Sequence, residues 1–569
     1  MANSGTPQSG IHRIREARRE QMFPVLDERQ LETLAPYGQR RRYPAGATLF
    51  EAGQRHIAMF VVLSGTIDMF RYTVTGEDLF ATHGRGIFTG EVGQLAGSAA
   101  IATARAHEDT EVLVIDEVAL HRLVIADAEL SELIMRAFIL RRMALIEDET
   151  GGATVVGSRH SRDTLRLRQF LTRNAHPHVY LDVDGDPAMA QFLERFGVVT
   201  EELPVVIMAD GRVLRTPSNR ELADYIGLGP DPLDGRKFDV AVLGAGPGGL
   251  AAAVYAASEG LRVLVLDAKA PGGQAGTSSR IENYFGFPTG ITGQALAGRG
   301  FVQAQKFGAE IAIPRKVLRL ARPTPDEIAL EIDGGERVTA RAVVIATGAR
   351  YRKPNLPNLE VFEGRGIYYA ASFMEAQLCA EQEVIVVGGG NSAGQAAVFL
   401  AGHTKHVHIL VRSRGLAASM SQYLIQRIEA TPNITLRTET EIVELLGTGD
   451  LGGVRWQNRA SLAIEEHAVQ HVFLFLGAEP NTALIDGCLT LDAAGFVKTG
   501  ASLTEAELRA AAWSLPRAPY PLESSRSGIF AVGDVRSDSV KRVATAVGEG
   551  AAAVRQIHAL LSESERPSA

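Results

Sequence analysis

Three glycines, Gly244, Gly246 and Gly249, stand in "FDVAVLGAGPGGLAAAVYAASEGLRVLVLD" between an apolar run and an alanine-rich one. At the first position glycine permits a tight turn, at the second it lets backbone approach a pyrophosphate, and at the third it lets a helix pack closely on a strand. The N-terminus of the helix that follows faces phosphates with its free N–H groups. The next apolar run ends at Asp267, where a carboxylate can accept hydrogen bonds from a ribose. Strand, turn, helix, strand and acid in that order predict a dinucleotide site, whereas the glycine triplet alone is also compatible with a bare turn.

A second fingerprint, "EVIVVGGGNSAGQAAVFLA", supplies Gly388 and Gly390, then Ser392, with Ala393 in the third position. After its next strand, "HVHILV", no acid follows; Arg412 and Arg414 occupy that corner. A guanidinium there suits a 2'-phosphate and points to NADPH over NADH, and solvated surface arginines are the alternative. One such contact, about 1.5–3 kcal/mol, gives roughly ten- to hundredfold preference. Two dinucleotide sites in one region suit a flavoprotein, with FAD in the first and a nicotinamide in the second that delivers hydride to the isoalloxazine.

The elements that must position these residues follow from patterning. With 569 residues, 46% apolar and 22% charged, the chain has core-forming material for about three to four domains. From about 22 to 120, short alternating runs such as "AMFVVLSG" and "EVLVIDE" predict strands and hairpins, flanked by the helical patterns "DERQLETLAPYG" and "DAELSELIMRAFILRRMALIEDE". Residues 151–228 read strand, helix, strand, helix ("DPAMAQFLERFG"), strand pair, helix. A Gly-, Pro- and Asp-rich linker follows, after which strands and helices alternate to the end. The predicted fold class is multidomain: a β-roll with flanking helices, a small α/β unit, then two Rossmann-like α/β nucleotide-binding domains.

The segments "GGQAGTSSRIENYFGFP" (272–288), "VVIATGAR" (343–350), "GGGNSAGQAA" (388–397) and "GIFAVGDVR...ATAVGEGAAA" (528–553) stand in the order found in thioredoxin reductase, which residues 237–565 therefore resemble. The resemblance implies that Gln274 and Asn283 lie against the flavin. It places Thr347 and Gly348 in a further FAD motif, and Gly533 and Asp534 at the ribityl-pyrophosphate region. It also implies a discontinuous FAD domain (237–355 and 482–569, the latter including the tail), an inserted NAD(P)H domain (356–481), and domain rotation that alternates access to the flavin.

The chain departs from that family where its redox cysteines belong. Counted back from Gly388, those positions are Ala371 and Met374, so no resident dithiol is available to attack a disulfide. Phe373, Met374 and Leu378 are expected to pack on one helical face. Glu375 falls near the family's acidic residue beside the flavin, either as a proton donor or as a solvated glutamate. Cys379 reads as a buried small hydrophobe. The family's nicotinamide motif is matched directly only by Arg412, which leaves NADPH and NADH both open.

The middle unit (151–228) resembles the glutaredoxin and thioredoxin fold, with Pro204 expected to be cis. Its redox pair is replaced in "Ser158-Arg159-His160-Ser161", and docking and structural spacing are both open roles. Residues 229–236 are the linker. Residues 1–150 resemble a cyclic-nucleotide-binding β-roll with a C-terminal helix; Glu91 matches the ribose-binding glutamate, but the phosphate-binding arginine is Ala100. A cyclic nucleotide is thus one candidate ligand, and a ligand-free dimerisation or regulatory module the other.

A net charge of −8 and pI near 6.0 argue against nucleic acid as a partner. No run reaches the about 18 uninterrupted apolar residues of a membrane span, and the N-terminus lacks a secretory pattern, so a cytoplasmic location is expected. Two cysteines exclude a disulfide framework and every multi-cysteine metal site, and no metal is predicted. The expected function is an FAD-dependent NAD(P)H oxidoreductase, homodimeric through the helix at 129–147, passing electrons to a thiol protein's disulfide, a quinone or a one-electron carrier. The alternative is a sensory flavoprotein gated by nucleotide binding without turnover.

Overall fold

The computed structural model describes residues 19–564 apart from 74–75, 91, 148–151, 185–192, 195, 230–231, 279 and 325–326. The chain divides into two compact units, Met1–Leu233 with Val302–Pro314, and Asp234–Phe301 with Arg315–Ala569.

In the first unit, the alternating runs become β1 (Gln39–Tyr43), β2 (Thr48–Phe50), β3 (Met59–Ser64), β4 (Ile67–Thr73), β5 (Gly76–His83), β6 (Thr103–Ala106) and β7 (Thr110–Ile115). They form two antiparallel sheets, β1-β7-β3 and β2-β6-β4-β5. Phe50, Phe60, Val62, Ile67 and Val112 from both sheets share one core. Helices α1 (Glu28–Leu34), α2 (Glu117–Ala126) and α3 (Ala128–Glu147) bury Leu34, Leu123 and Phe138 in a second. Asp27 and Asp116 cap α1 and α2 by accepting from backbone N–H groups of their first turns. Arg141 of α3 enters this core, donates to the carbonyls of Met22, Phe88 and Gly90, and lies over the Phe23 and Phe88 rings.

The same unit continues through β8 (Ala153–Gly157), α4 (Arg162–Arg173), β9 (His178–Asp182), β10 (Val205–Met208), β11 (Val213–Arg215) and α5 (Asn219–Ile226). Their sheet runs β11-β10-β8-β9, with β8 parallel to β9 and the other pairs antiparallel. The Leu203–Pro204 peptide is cis, as the sequence led us to expect. The helix expected over "DPAMAQFLERFG" lies largely outside the described residues, and so does Glu91.

In the second unit, β12 (Lys237–Leu243), α6 (Pro247–Ser258), β13 (Val263–Leu266), β14 (Val317–Thr324), β15 (Glu327–Ile332) and β16 (Arg337–Ile345) build one sheet. Its order is β13-β12-β16-β15-β14, parallel through the first three strands and antiparallel beyond. An antiparallel pair, β17 (Ala349–Tyr351) with β26 (Ala478–Pro480), carries the chain out and back. Between them lie β18 (Ile367–Tyr368), α7 (Phe373–Leu378), β19 (Glu383–Val387), α8 (Asn391–Ala401), β20 (His406–Leu410), α9 (Gln422–Glu429) and β21 (Ile434–Arg437). They continue through β22 (Thr440–Leu446), β23 (Gly453–Asn458), β24 (Ile464–His467) and β25 (His471–Leu474). A parallel sheet β18-β25-β19-β20-β21 and an antiparallel sheet β22-β23-β24 result.

Strands β19 and β20 are covered on both faces, as in parallel sheets of this kind. Val384, Val386, Val407 and Ile409 pack with α8, whereas Ile385, Val387 and Leu410 pack with Val454 and Trp456 of the antiparallel sheet. Finally β27 (Ile529–Ala531) pairs parallel with β16 and leads into α10 (Val543–Ser564). Among the described residues, no helix is long and apolar enough to cross a membrane.

Candidate functional site

The first glycine turn connects β12 to α6. Gly244 has φ +107°, and a Cβ there would lie 2.3 Å from the Ala346 carbonyl oxygen; one on Gly249 would lie 1.9 Å from the Gly244 carbonyl. No side chain tolerates either distance, so strand-to-helix packing requires both glycines. Gly246 differs, because its Cβ would meet nothing nearer than the Gly273 Cα at 4.0 Å. Gly246 is also the N-cap of α6, with no side chain capping the helix. Open space before uncapped N–H groups is what a pyrophosphate fits. Asp267 stands at the end of β13 and bonds the turn itself, accepting from the backbone N–H of Ala245, Lys269 and Ala270 at 2.8, 2.7 and 3.1 Å. Three accepted bonds leave part of the carboxylate's capacity for a ribose hydroxyl.

Further along, Gln274 is half-buried and Asn283 exposed, and neither side-chain amide bonds a described protein group. Thr347 and Gly348 are tied to the returning strand: Thr347 Oγ1 donates to the Asn481 carbonyl at 2.8 Å, and Asn481 Nδ2 donates to the Thr347 carbonyl at 2.9 Å. The Asn481 N–H reaches the Gly348 carbonyl at 2.9 Å.

The loop around Gly533 and Asp534 is organised by Glu549 on α10. This carboxylate accepts from the Gly533 N–H at 2.6 Å, from Arg536 Nη2 at 2.6 Å and from Ser539 Oγ at 3.0 Å. Burial raises the Asp534 carboxyl above its ordinary value; Lys541 opposes that and Glu549 adds to it. No local pattern in "AVGEGAAA" or "GAEPNT" marks Glu549 or Asn481 as a support for these loops.

The second glycine turn connects β19 to α8. Gly388 has φ +141°, and a Cβ there would lie 2.4 Å from the Phe475 carbonyl oxygen. Gly390 is the uncapped N-cap of α8, and a Cβ there would meet nothing within 4 Å. Ala393 is 1% exposed, in keeping with its packing position. Arg412 is exposed and makes no ion pair among the described residues, whereas Arg414 reaches Glu439 at 3.5 Å. Tyr351 lies close to Ser392 of this motif and within electrostatic reach of Asp534. Burial raises its phenol above the ordinary value, with the Ser392 hydroxyl opposing the shift and the Asp534 carboxylate adding to it.

The segment before this turn corrects one expectation. Phe373 does not pack; it is 62% exposed, with only the edge of the His403 ring 6.1 Å away. Glu375 is 5% exposed and accepts the Ser372 N–H at 2.9 Å together with the Ser372 hydroxyl, so its carboxylate covers the backbone just before α7. Ala371, at a family cysteine position, is 5% exposed. Cys379 is fully buried, and burial pushes its thiol up to about 12. Neither cysteine is in a disulfide.

In the first unit, the corresponding segments are closed by protein contacts. Ser158 Oγ donates to Asp184 at 2.7 Å, Arg159 pairs with Asp182, and Ser161 caps α4. Ala100 is 7% exposed within the apolar core of the β-roll. Beside it, the Ala99 N–H bonds the Ile226 carbonyl at 3.2 Å and Arg55 bonds the Gly229 carbonyl at 2.8 Å. The cavity between Ala99–Ile101 and Met208, Asp210 and Tyr225 holds about 10 Å³.

With two glycine cradles in one unit, the chain has the layout of a two-dinucleotide oxidoreductase, and comparison with known proteins agrees. Residues 238–550 match the pyridine nucleotide-disulphide oxidoreductase family, to which the chain belongs, and residues 40–127 match the cyclic nucleotide-binding domain. It is an FAD-dependent NAD(P)H oxidoreductase of the thioredoxin reductase-like kind. The thioredoxin reductase of Streptomyces coelicolor is 32% identical over 317 residues, covering 55% of this chain and 91% of that one. NADPH-dependent thioredoxin reductase 3 of Arabidopsis thaliana is 34% identical over 322 residues; the match spans 55% of this chain and only 56% of the relative. The crystal structure of Lactococcus lactis thioredoxin reductase in its FR conformation superposes with a TM-score of 0.51 at 27% identity, covering 57% of this chain and 99% of that one.

Proposed function

We propose that the protein passes reducing equivalents from NADPH through FAD directly to an external acceptor, with no redox disulfide of its own. The observation that carries this reading is the fate of sulfur: the chain has two cysteines, one fully buried with its thiol held near pKa 12, and alanine and methionine where a dithiol would stand. A thiol so held supplies no thiolate at neutral pH.

Bound FAD would supply the two-electron relay between a nicotinamide and the acceptor. Gly244, Gly246, Gly249 and Asp267 would hold its pyrophosphate and ribose. Gln274 and Asn283, with side-chain amides not engaged by described protein groups, would meet the ring. Thr347, Gly348, Gly533 and Asp534 would line the opposite side, held in place by Asn481 and Glu549. Gly388, Gly390 and Ser392 would receive the nicotinamide dinucleotide, and Arg412, exposed and without an ion pair among the described residues, would meet a 2'-phosphate. Glu375 is the candidate proton donor, yet its bonds to Ser372 equally suit a helix cap. E375Q separates the two roles: loss of turnover with normal thermal stability supports the donor.

The β11-β10-β8-β9 order of the middle unit supports a thioredoxin-like reading in which it serves docking. Buried Ala100 and the small adjoining cavity support a β-roll that acts as a dimerisation module without a bound cyclic nucleotide. Glu91, the ribose ligand in that family, lies outside the described residues.

Anaerobic addition of NADPH to the purified flavoprotein tests the proposal. Rapid bleaching of the flavin band is expected, and an unchanged spectrum with both NADPH and NADH excludes it in favour of a sensory flavoprotein. Robust thioredoxin reduction by the purified protein alone contradicts direct transfer without a dithiol. A screen of disulfide, quinone and ferredoxin acceptors then identifies the electron sink.

A further inference from the structure

A cluster with no part in the nucleotide chemistry lies on the other face of the parallel sheet. The register pairs Glu383 with His406 and Ile385 with His408, which sets Glu383, His406 and His408 on the same face of β19 and β20. That face is covered by the antiparallel sheet, from which His467, at the end of β24, and Trp456 of β23 turn inward. His408 Nε2 lies 3.5 Å and His467 Nε2 3.3 Å from Glu383 Oε2. One ligand atom from each of the three residues falls within 4.8 Å of the others.

Those separations are too long for good hydrogen bonds, and both ring nitrogens are buried without a hydrogen-bond partner. They fit an ion well, because two ligands about 2.0–2.1 Å from a tetrahedral zinc lie about 3.3–3.5 Å apart. His408 is 7% exposed, and neither of its nitrogens has a partner. A buried polar group without a partner costs stability unless something satisfies it. The other Glu383 oxygen, Oε1, is held by Lys405 at 3.5 Å, which leaves Oε2 for the ion. His467 stacks on Trp456 at 4.7 Å and 24°, which fixes its ring plane. Its side chain is 25% exposed and that of Glu383 34%, so a fourth position opens to water and the ion has an entry path.

We infer that Glu383, His408 and His467 bind a divalent transition-metal ion, zinc by ligand type, that fastens the antiparallel sheet to the parallel one. Two imidazoles and one carboxylate with an open position suit zinc over magnesium or calcium, which take all-oxygen sets. Glu383 begins β19, which leads into Gly388, so the site is about 16 Å along the strand from the glycine turn and its role is structural. The inference goes beyond the proposed redox function and stands or falls independently of it.

The test uses the full-length flavoprotein stripped with a chelator and desalted. Zinc titration against a chromophoric competitor is expected to give one ion per chain at micromolar or lower free zinc, with a rise in Tm. A W513F background leaves Trp456 as the only tryptophan. Cobalt is expected to quench its fluorescence and zinc to reverse the quenching. H467Q, at a strand end, and H408N should each weaken binding about a hundredfold, whereas H558N, at a histidine paired with Glu259, should leave it unchanged. Circular dichroism confirms that each variant is folded. Absence of stoichiometric zinc in the folded wild type, or equal affinity in folded H467Q, overturns the inference. NADPH bleaching of the flavin is measured on the same samples, so failure of the metal site is read separately from failure of the redox reading.

Discussion

Arg427 Nη1 on α9 lies 2.7 Å from Glu282 Oε2, joining the nicotinamide-side fold to the loop "RIENYFG" of the flavin-side fold. Glu282 also draws Arg280 to 3.6 Å. The pair bridges these two parts of the unit. It is half-exposed on the arginine side, so its contribution to stability is at most about 1 kcal/mol. A population of domain arrangements shifts about fivefold for that energy.

E282Q is therefore expected to slow flavin reduction by NADPH about two- to fivefold with little loss of thermal stability. Added salt should slow the wild type and leave the variant unchanged. Stopped-flow absorbance across ionic strength makes the comparison.

Glu549 satisfies a backbone N–H, a guanidinium and a hydroxyl around Gly533. E549Q keeps the shape and removes the charge, so flavin affinity is expected to fall about ten- to a hundredfold, as a lost charge-assisted bond predicts. Flavin retained through gel filtration, followed by reconstitution with FAD, measures it.

C379S and C488S, singly and together, should leave steady-state turnover with the acceptor unchanged. In native protein Cys379 should resist thiol reagents at pH 8, because its thiol is buried and held near pKa 12. A large drop in acceptor-dependent reoxidation of the flavin in the double variant would restore a sulfur relay.

R412A should weaken NADPH about ten- to a hundredfold and leave NADH unaffected, given one phosphate contact of about 1.5–3 kcal/mol. Apparent dissociation constants from flavin bleaching with each coenzyme decide it.

Two buried histidines in the first unit predict acid sensitivity. Burial, reinforced by Arg141, lowers His83 to about 3, and burial lowers His176 well below its ordinary value. The unfolded chain takes up a proton near pH 6.5 that the folded one refuses, so stability is complete above about 6.5 and lost as the pH falls toward 3. Each histidine costs about 1.4 kcal/mol per pH unit in that window. Urea midpoints followed by circular dichroism should fall between pH 6.5 and 4.5, and H83L should fall less steeply by about one proton.

The glycine turns, the strand-helix alternation and the two-sheet β-roll were legible because each depends on residues adjacent in the chain: a period of two or 3.6, and a glycine where the backbone has no room for Cβ. Phe373 misled for the converse reason. It stands five residues from Leu378, about 140° round the helix, and whether that side meets a core depends on what the rest of the fold puts opposite; here Phe373 meets solvent. Asn481 and Glu549 went unread because their partners, Thr347 and Gly533, lie 134 and 16 residues away in sequence. Glu383, His408 and His467 escaped too, since their spacing matches no metal motif and only strand register gathers them.

The amino-acid order by itself determined two nucleotide cradles and a shortage of sulfur, since turn geometry and thiol chemistry are properties of single residues and their neighbours. Tertiary structure alone decided how Glu375 spends its carboxylate, that Ala100 sits in an apolar core, that Arg427 reaches Glu282, and that two imidazoles meet one carboxylate. Those outcomes depend on burial and on approach across sheets and loops, which sequence separation does not encode.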